Sequence, residues 1–210
     1  MELHFLIADD HAIVRRGVKE LLLEEFPSAI IEEAENAEVL ITKVEEKKWD
    51  LIICDINMPG RSGIDALKEI KQILPGLPVL IMSMYSEDQY ALRAFKAGAS
   101  GYLAKETVHN NLTKATRDVL SGKKFITPFI AEKMANSLDN AQQKEPHEYL
   151  SNREFEVFKF LTAGKSASDI AEMLAVSITT VSTFRSRILE KMKMKSNAEL
   201  IRYAVEKGLL

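Results

Sequence analysis

Five polar residues in the first half of the chain each follow a short apolar run: Asp9, Asp10, Asp55, Ser83 and Lys105, with Pro59 and Gly60 just beyond Asp55. Gathered in one volume, they supply three carboxylates, a hydroxyl and an amine. Three carboxylates with no arginine beside them in sequence repel one another, so the set implies a hard divalent cation among them. Oxygen ligation by few protein groups suits Mg²⁺, which keeps several waters and bridges carboxylates to phosphate oxygens. A phosphoryl group is then the expected guest, with the Lys105 ammonium and the Ser83 hydroxyl placed to contact its oxygens. One carboxylate remains to act as nucleophile. Asp55 is the choice, because it alone closes its apolar run directly (DLIICD). The INMPG turn that follows would let the Asn57 backbone carbonyl join the metal shell while Pro59 and Gly60 fix the loop.

Such residues converge only if the fold brings them together. The preceding runs, HFLIA, DLIIC, PVLIM and SGYLA, are short, apolar and separated by helical stretches. Buried parallel strands of a doubly wound α/β sheet read this way. In an open sheet of that kind the carboxyl ends of the strands form the ligand crevice, which is where all five residues would lie. Taken singly the pieces say little: an Asp-Asp pair ahead of HAIVRRGVKELLLEE is an ordinary helix cap, and a lone Ser or Lys after a strand is nearly mute. The ordered set carries the reading. The chain's 210 residues, 46% of them hydrophobic, suffice for two unequal domains. The single cysteine, Cys54, lies inside an apolar run and reads as a buried small hydrophobe. No apolar stretch is long enough to span a bilayer, and no secretory leader is evident, so a cytoplasmic protein with no membrane partner is expected.

The second half changes character. A helical pattern, PFIAEKMANSL, runs into the polar DNAQQKEPHEY, so residues 125–147 read as helix and linker, with the linker proper at 139–148. From 148 to 210 there are ten basic and eight acidic residues, net +2, so the −3 of the whole chain leaves −5 on residues 1–147. Four helices are predicted there. The first starts at Ser151 with Glu154 as capping-box partner and stops at Gly164. A short helix in SASDIAEML, a brief turn at AVS and a longer helix in ITTVSTFRSRILEKM, capped by Ser177, together read as a helix-turn-helix. Ile170, Leu174, Val176, Val181 and Ile188 would form the shared core. Val181, Ile188 and Met192 would face inward, leaving a hydroxyl-bearing face of Thr179, Thr180, Ser182, Thr183 and Ser186 flanked by Arg185, Arg187 and Lys191. That face suits the phosphates and base edges of a DNA major groove.

Residues 1–124 resemble a bacterial response-regulator receiver domain. The resemblance implies a flavodoxin-like, five-stranded parallel sheet, with Asp9 and Asp10 as acidic metal-site residues, Asp55 as phosphoacceptor and Asn57 as backbone metal ligand. It further implies Ser83 as switch hydroxyl, Tyr102 as switch aromatic and Lys105 as the phosphate-contacting lysine. Glu106 stands where many receivers carry a proline with a cis peptide before it, so no cis bond is expected here. Residues 148–210 resemble the LuxR/FixJ-type DNA-binding domain through LSNREFEV, GKSASDIAEMLAVSITTVSTFRSRILEKM and KSNAELIRYA. Ser182 and Phe184 replace a basic residue and a histidine common in that family. The whole chain is similar to NarL/FixJ-family response regulators. It is then expected to be a transcription regulator and not an enzyme, with a sensor histidine kinase, Mg²⁺ and double-stranded DNA as partners and a homodimer when phosphorylated. A dehalogenase-type phosphatase would need a second acid two positions after its nucleophile, where Asn57 stands.

Overall fold

The computed structural model describes residues 2–139 and 145–209; residues 140–144, inside the predicted linker, lie outside them. The chain divides into two compact units, Met1–Asn136 and Ser137–Leu210. The first contains five strands, β1 (His4–Ala8), β2 (Ile30–Ala34), β3 (Leu51–Asp55), β4 (Val79–Ser83) and β5 (Gly101–Ala104). Between and after them run α1 (Ala12–Glu25), α2 (Ala37–Glu46), α3 (Gly63–Ile73), α4 (Glu87–Lys96) and α5 (Val108–Leu120), followed by α6 (Pro128–Asp139).

All strand pairs are parallel, in the order β2-β1-β3-β4-β5. This is the flavodoxin-like winding, and the order reverses between β1 and β3. At the carboxyl ends of those two strands lie Asp9, Asp10 and Asp55. β3 and β4 are buried at every position because helices cover both faces. Phe5, Ile7, Leu51, Ile53, Leu80 and Met82 form the core on one face, with Val18, Leu22, Leu112 and Val119 from α1 and α5 against them. The strand not singled out by its composition is β2, IIEEA. It sits at the sheet edge, where Glu32 pairs with Lys43 and Lys47, and Glu33 with Arg15 and Lys19.

The second unit is helical: α7 (Asn152–Thr162), α8 (Ala167–Met173), α9 (Ile178–Met192) and α10 (Asn197–Glu206). Each begins on a serine whose hydroxyl accepts a first-turn N–H: Ser151, Ser166, Ser177 and Ser196. Ser151–Glu154 and Ser166–Asp169 are reciprocal capping boxes. The turn between α8 and α9 passes through Ala175, held left-handed at φ 51°. Ile170, Leu174, Val181 and Ile188 are buried as expected, whereas Val176 is half-buried. Leu200, Tyr203, Ala204 and Leu209 join this core, with Phe155 and Phe158 stacked inside it.

Candidate functional site

The strand register assembles the acidic pocket. Asp55 stands opposite Met82, and Ser83 opposite Ala104, so Asp55, Ser83 and Lys105 sit about one residue apart on three adjacent strands. Those strands are roughly 4.8 Å apart. The Lys105 ammonium lies 2.7 Å from Asp55 Oδ2 and 2.7 Å from Asp9 Oδ2, bridging the two strand ends. Asp9 and Asp55 are 0% and 2% exposed. Among the described residues, buried Asp55 Oδ1 has no hydrogen-bond partner. Burial pushes the Asp55 carboxyl up to about 6; Lys105 opposes this and Asp9 adds to it. Burial also works against the Lys105 charge, yet the two carboxylates hold that ammonium above its ordinary range.

Behind Asp55 the backbone leaves no room. Gly63 donates its N–H to the Ile56 carbonyl at 2.8 Å, and a Cβ added there would stand 1.8 Å from the Asp55 carbonyl oxygen. Cys54 is buried as expected, its thiol donating to that same carbonyl, and burial pushes its acidity far out of reach.

His11, which the sequence reading passed over, belongs to the pocket. It forms the N-cap position of α1, donates its N–H to Asp9 Oδ1 at 2.9 Å, and places Nδ1 2.7 Å from Asp10 Oδ1. Ligand atoms of Asp9, Asp10, His11 and Asp55 all lie within 4.8 Å of one another. The pocket is also closer to an arginine than expected, since Arg15 donates to the Asp9 carbonyl at 2.7 Å. A mostly oxygen donor set, with one buried carboxylate oxygen unpartnered, fits a hard divalent cation.

Beside the pocket, the Ser83 hydroxyl accepts the Tyr85 N–H at 3.1 Å and the Tyr102 hydroxyl donates to the Tyr85 carbonyl at 2.8 Å. Tyr85 stacks on Tyr90 of α4, and its hydroxyl accepts from the Asn57 side chain. Tyr102 is therefore already buried, inward, in this structure. The Lys105–Glu106 peptide is trans.

On α9, Thr179, Ser182, Thr183, Ser186 and Arg187 are exposed together, opposite buried Val181, Ile188 and Met192. Thr183 and Ser186 donate back to carbonyls one turn earlier, which turns hydroxyl lone pairs outward. Thr180 is half-buried, its hydroxyl bonded to that of Ser177. Phe184 is also half-buried. Arg185 is held by Asn197, its Nε donating at 2.7 Å. Lys191 stands apart from the set: its ammonium donates to Glu154 of the α7 cap at 2.6 Å.

A family model described as the response regulator receiver domain matches residues 5–117, and one for bacterial regulatory proteins of the luxR family matches residues 148–204. The chain belongs to the NarL/FixJ family of response regulators. Similar relatives include the oxygen regulatory protein NreC of Staphylococcus epidermidis, 33% identical with 98% of both chains covered, and that of Staphylococcus aureus, 34% identical. A solved two-component response regulator, RcsB in complex with DNA, is 25% identical, covers 98% of each chain and has a TM-score of 0.59. A LuxR-family response regulator from Aurantimonas is 32% identical over 67% of this chain and all of its own, also with a TM-score of 0.59. The chain is accordingly a two-component transcription regulator, its receiver carrying the acidic pocket and its LuxR-type domain carrying α9. Among the described residues, no helix of this response regulator is long and apolar enough to cross a membrane.

Proposed function

We propose that Asp55 accepts a phosphoryl group from a sensor histidine kinase or a small phosphodonor, and that this modification controls binding of the tail to duplex DNA in the cytoplasm. The observation that carries the proposal is the state of the Asp55 carboxylate. It is almost wholly buried, with Oδ2 held by Lys105 and Oδ1 without a hydrogen-bond partner among the described residues. Oδ1 attacks phosphorus as the donor's P–N or P–O bond breaks, and the leaving group carries the electron pair away. Asp9, Asp10, Asp55 and the Asn57 carbonyl would hold Mg²⁺, which would supply positive charge against the phosphoryl oxygens. Lys105, freed from Asp55 Oδ2, contacts one phosphoryl oxygen, and the Ser83 hydroxyl donates to another. Asp55 is a stoichiometric acceptor, one phosphoryl group per chain.

Engaging Ser83 draws on the hydroxyl that now receives the Tyr85 N–H, and Tyr85 also holds Tyr102 and stacks on α4. Tyr102 being inward already, the switch acts by moving the Tyr85 segment and the start of α4 around it. The output is a homodimer that presents two α9 helices to half-sites about 34 Å apart. Thr179, Thr180, Ser182, Thr183 and Ser186 contact the groove, with Arg185 and Arg187 on phosphates. Lys191 reaches DNA only by leaving Glu154. Acetyl phosphate with Mg²⁺ should label the wild-type chain once, and Asp55→Ala should abolish labelling while the fold persists. Undiminished labelling of that variant would refute the site.

A further inference from the structure

The receiver has a second concave site at the opposite end of its sheet. A cavity of about 470 Å³ opens among the amino ends of β4 and β5 and the carboxyl ends of α3, α4 and α5, where Lys71, Pro78, Gly98, Ser100, Lys123 and Lys124 line it. Five-residue β4 runs from this cavity to Ser83 in the acidic pocket, which separates the two sites by roughly 16 Å.

The lining is one-signed. It holds three lysines and no carboxylate, in a chain whose acidic residues outnumber its basic ones, 31 to 28. Helix carboxyl ends attract cations, but that accounts for one lysine. Lys71 donates to the Pro75 and Leu77 carbonyls, at 3.3 and 2.5 Å, and so satisfies the loop that ends α3. The ammonium groups of Lys123 and Lys124 take no carbonyl or carboxylate partner among the described residues; that of Lys124 lies over the Phe95 ring, 5.8 Å from its centroid. The position of Lys71 is built in, since its stem crosses Gly98, where an added Cβ would come 3.0 Å from Lys71 Cγ. Burial, and then the nearby Lys124 charge, hold the Lys71 ammonium below its ordinary range. An anion in the cavity would reverse the second effect. The Ser100 hydroxyl accepts the Val79 N–H at 3.3 Å, which leaves its proton to donate into the cavity.

We propose that this basal cavity binds a small molecule bearing a diphosphate group. The volume lies in the range of small-molecule pockets, three ammonium groups match a multiply charged anion, and Val119 with Pro75 and Pro78 offers an apolar wall for the rest of the ligand. Such a ligand would join the ends of α3, α4 and α5, and so bias the position of α4 independently of Asp55.

The probe is pyrophosphate, titrated into the ¹⁵N-labelled full chain at physiological ionic strength in EDTA, which keeps divalent cations out of the acidic pocket. Amide shifts that saturate at Gly76, Gly98, Ser100 and Gly122 are expected. Lys123→Gln and Lys124→Gln, both at exposed side chains, should each weaken binding roughly tenfold, the worth of one charge-assisted contact. Asp55→Asn should leave it unchanged. Shifts confined to α9, a drift that never saturates, or an unaltered affinity in the Lys123→Gln/Lys124→Gln double variant would each overturn the proposal.

Discussion

At the scale of residues, Asp55 stands out because its burial opposes its charge. A carboxyl pushed up to about 6 in the fold ionises near 4 in the unfolded chain. The folded state therefore loses stability as pH climbs from about 4 to 6 and stays penalised above that. In EDTA, Asp55→Asn should be more stable than wild type at pH 8, by up to about 3 kcal/mol, with the advantage gone below pH 4. Urea melts across that range decide it; a difference independent of pH would mean that Lys105 neutralises the pocket fully. Added Mg²⁺ should stabilise the wild type and not the variant. Asp9, Asp10, Asp55, Ser83 and Lys105 were legible in sequence because each breaks an apolar run at a strand end, where one face of the chain has nowhere to go but the crevice. His11 and Tyr85 were not. His11 reads as the start of an amphipathic helix, and the part Tyr85 plays depends on its backbone N–H and carbonyl, which any residue type carries.

Among the elements, α6 shows how local pattern and packing diverge. Its sequence announces a helix, but not that its first turns belong with the receiver. The Thr127 hydroxyl donates to Glu87 at 2.6 Å, Lys133 donates to the Asp88 carbonyl at 2.8 Å, and Ile130 is buried, so α6 is pinned to the first turn of α4. That turn follows directly on Tyr85 and Ser86. These contacts join the start of α4 to the first turns of α6. Thr127→Val should lower amide-exchange protection across residues 129–136 about fivefold, the equivalent of ~1 kcal/mol; unchanged protection would show that the bond does not hold α6. The cap of α7 was readable, since a hydroxyl followed by a carboxylate three residues on, Ser151 and Glu154, has one local use, and Ser177 of α9 was readable as a hydroxyl directly ahead of a helical run. The strain at Ala175 was not, because alanine gives no hint of a left-handed backbone. Ala175→Gly should stabilise the DNA-binding unit by about 0.5–1 kcal/mol in thermal melts. A fifth strand was expected, but its segment was not named: β2, an edge strand with paired glutamates, lacks the apolar run that marks its neighbours.

For the molecule as a whole, charge is divided as the sequence suggested, −5 on residues 1–147 and +2 beyond. Arg187→Ala should weaken DNA binding across sequences and lower the salt slope by about 1, and Arg185→Ala should do the same. Asn197→Ala, which frees Arg185, should alter affinity without changing that slope; fluorescence anisotropy at several salt concentrations separates the cases. The division into two units was visible in the change from strand-helix alternation to helices alone, whereas contact places the break at Asn136/Ser137, inside a helix that periodicity treats as continuous. Gly63 bears on how this molecule can diverge. The glycine that closes the loop after β3 cannot gain even a methyl group without displacing the strand end it leans on. A saturation library at position 63, selected only for uptake of phosphate, should return glycine alone, so lineages that retune this switch must do so elsewhere.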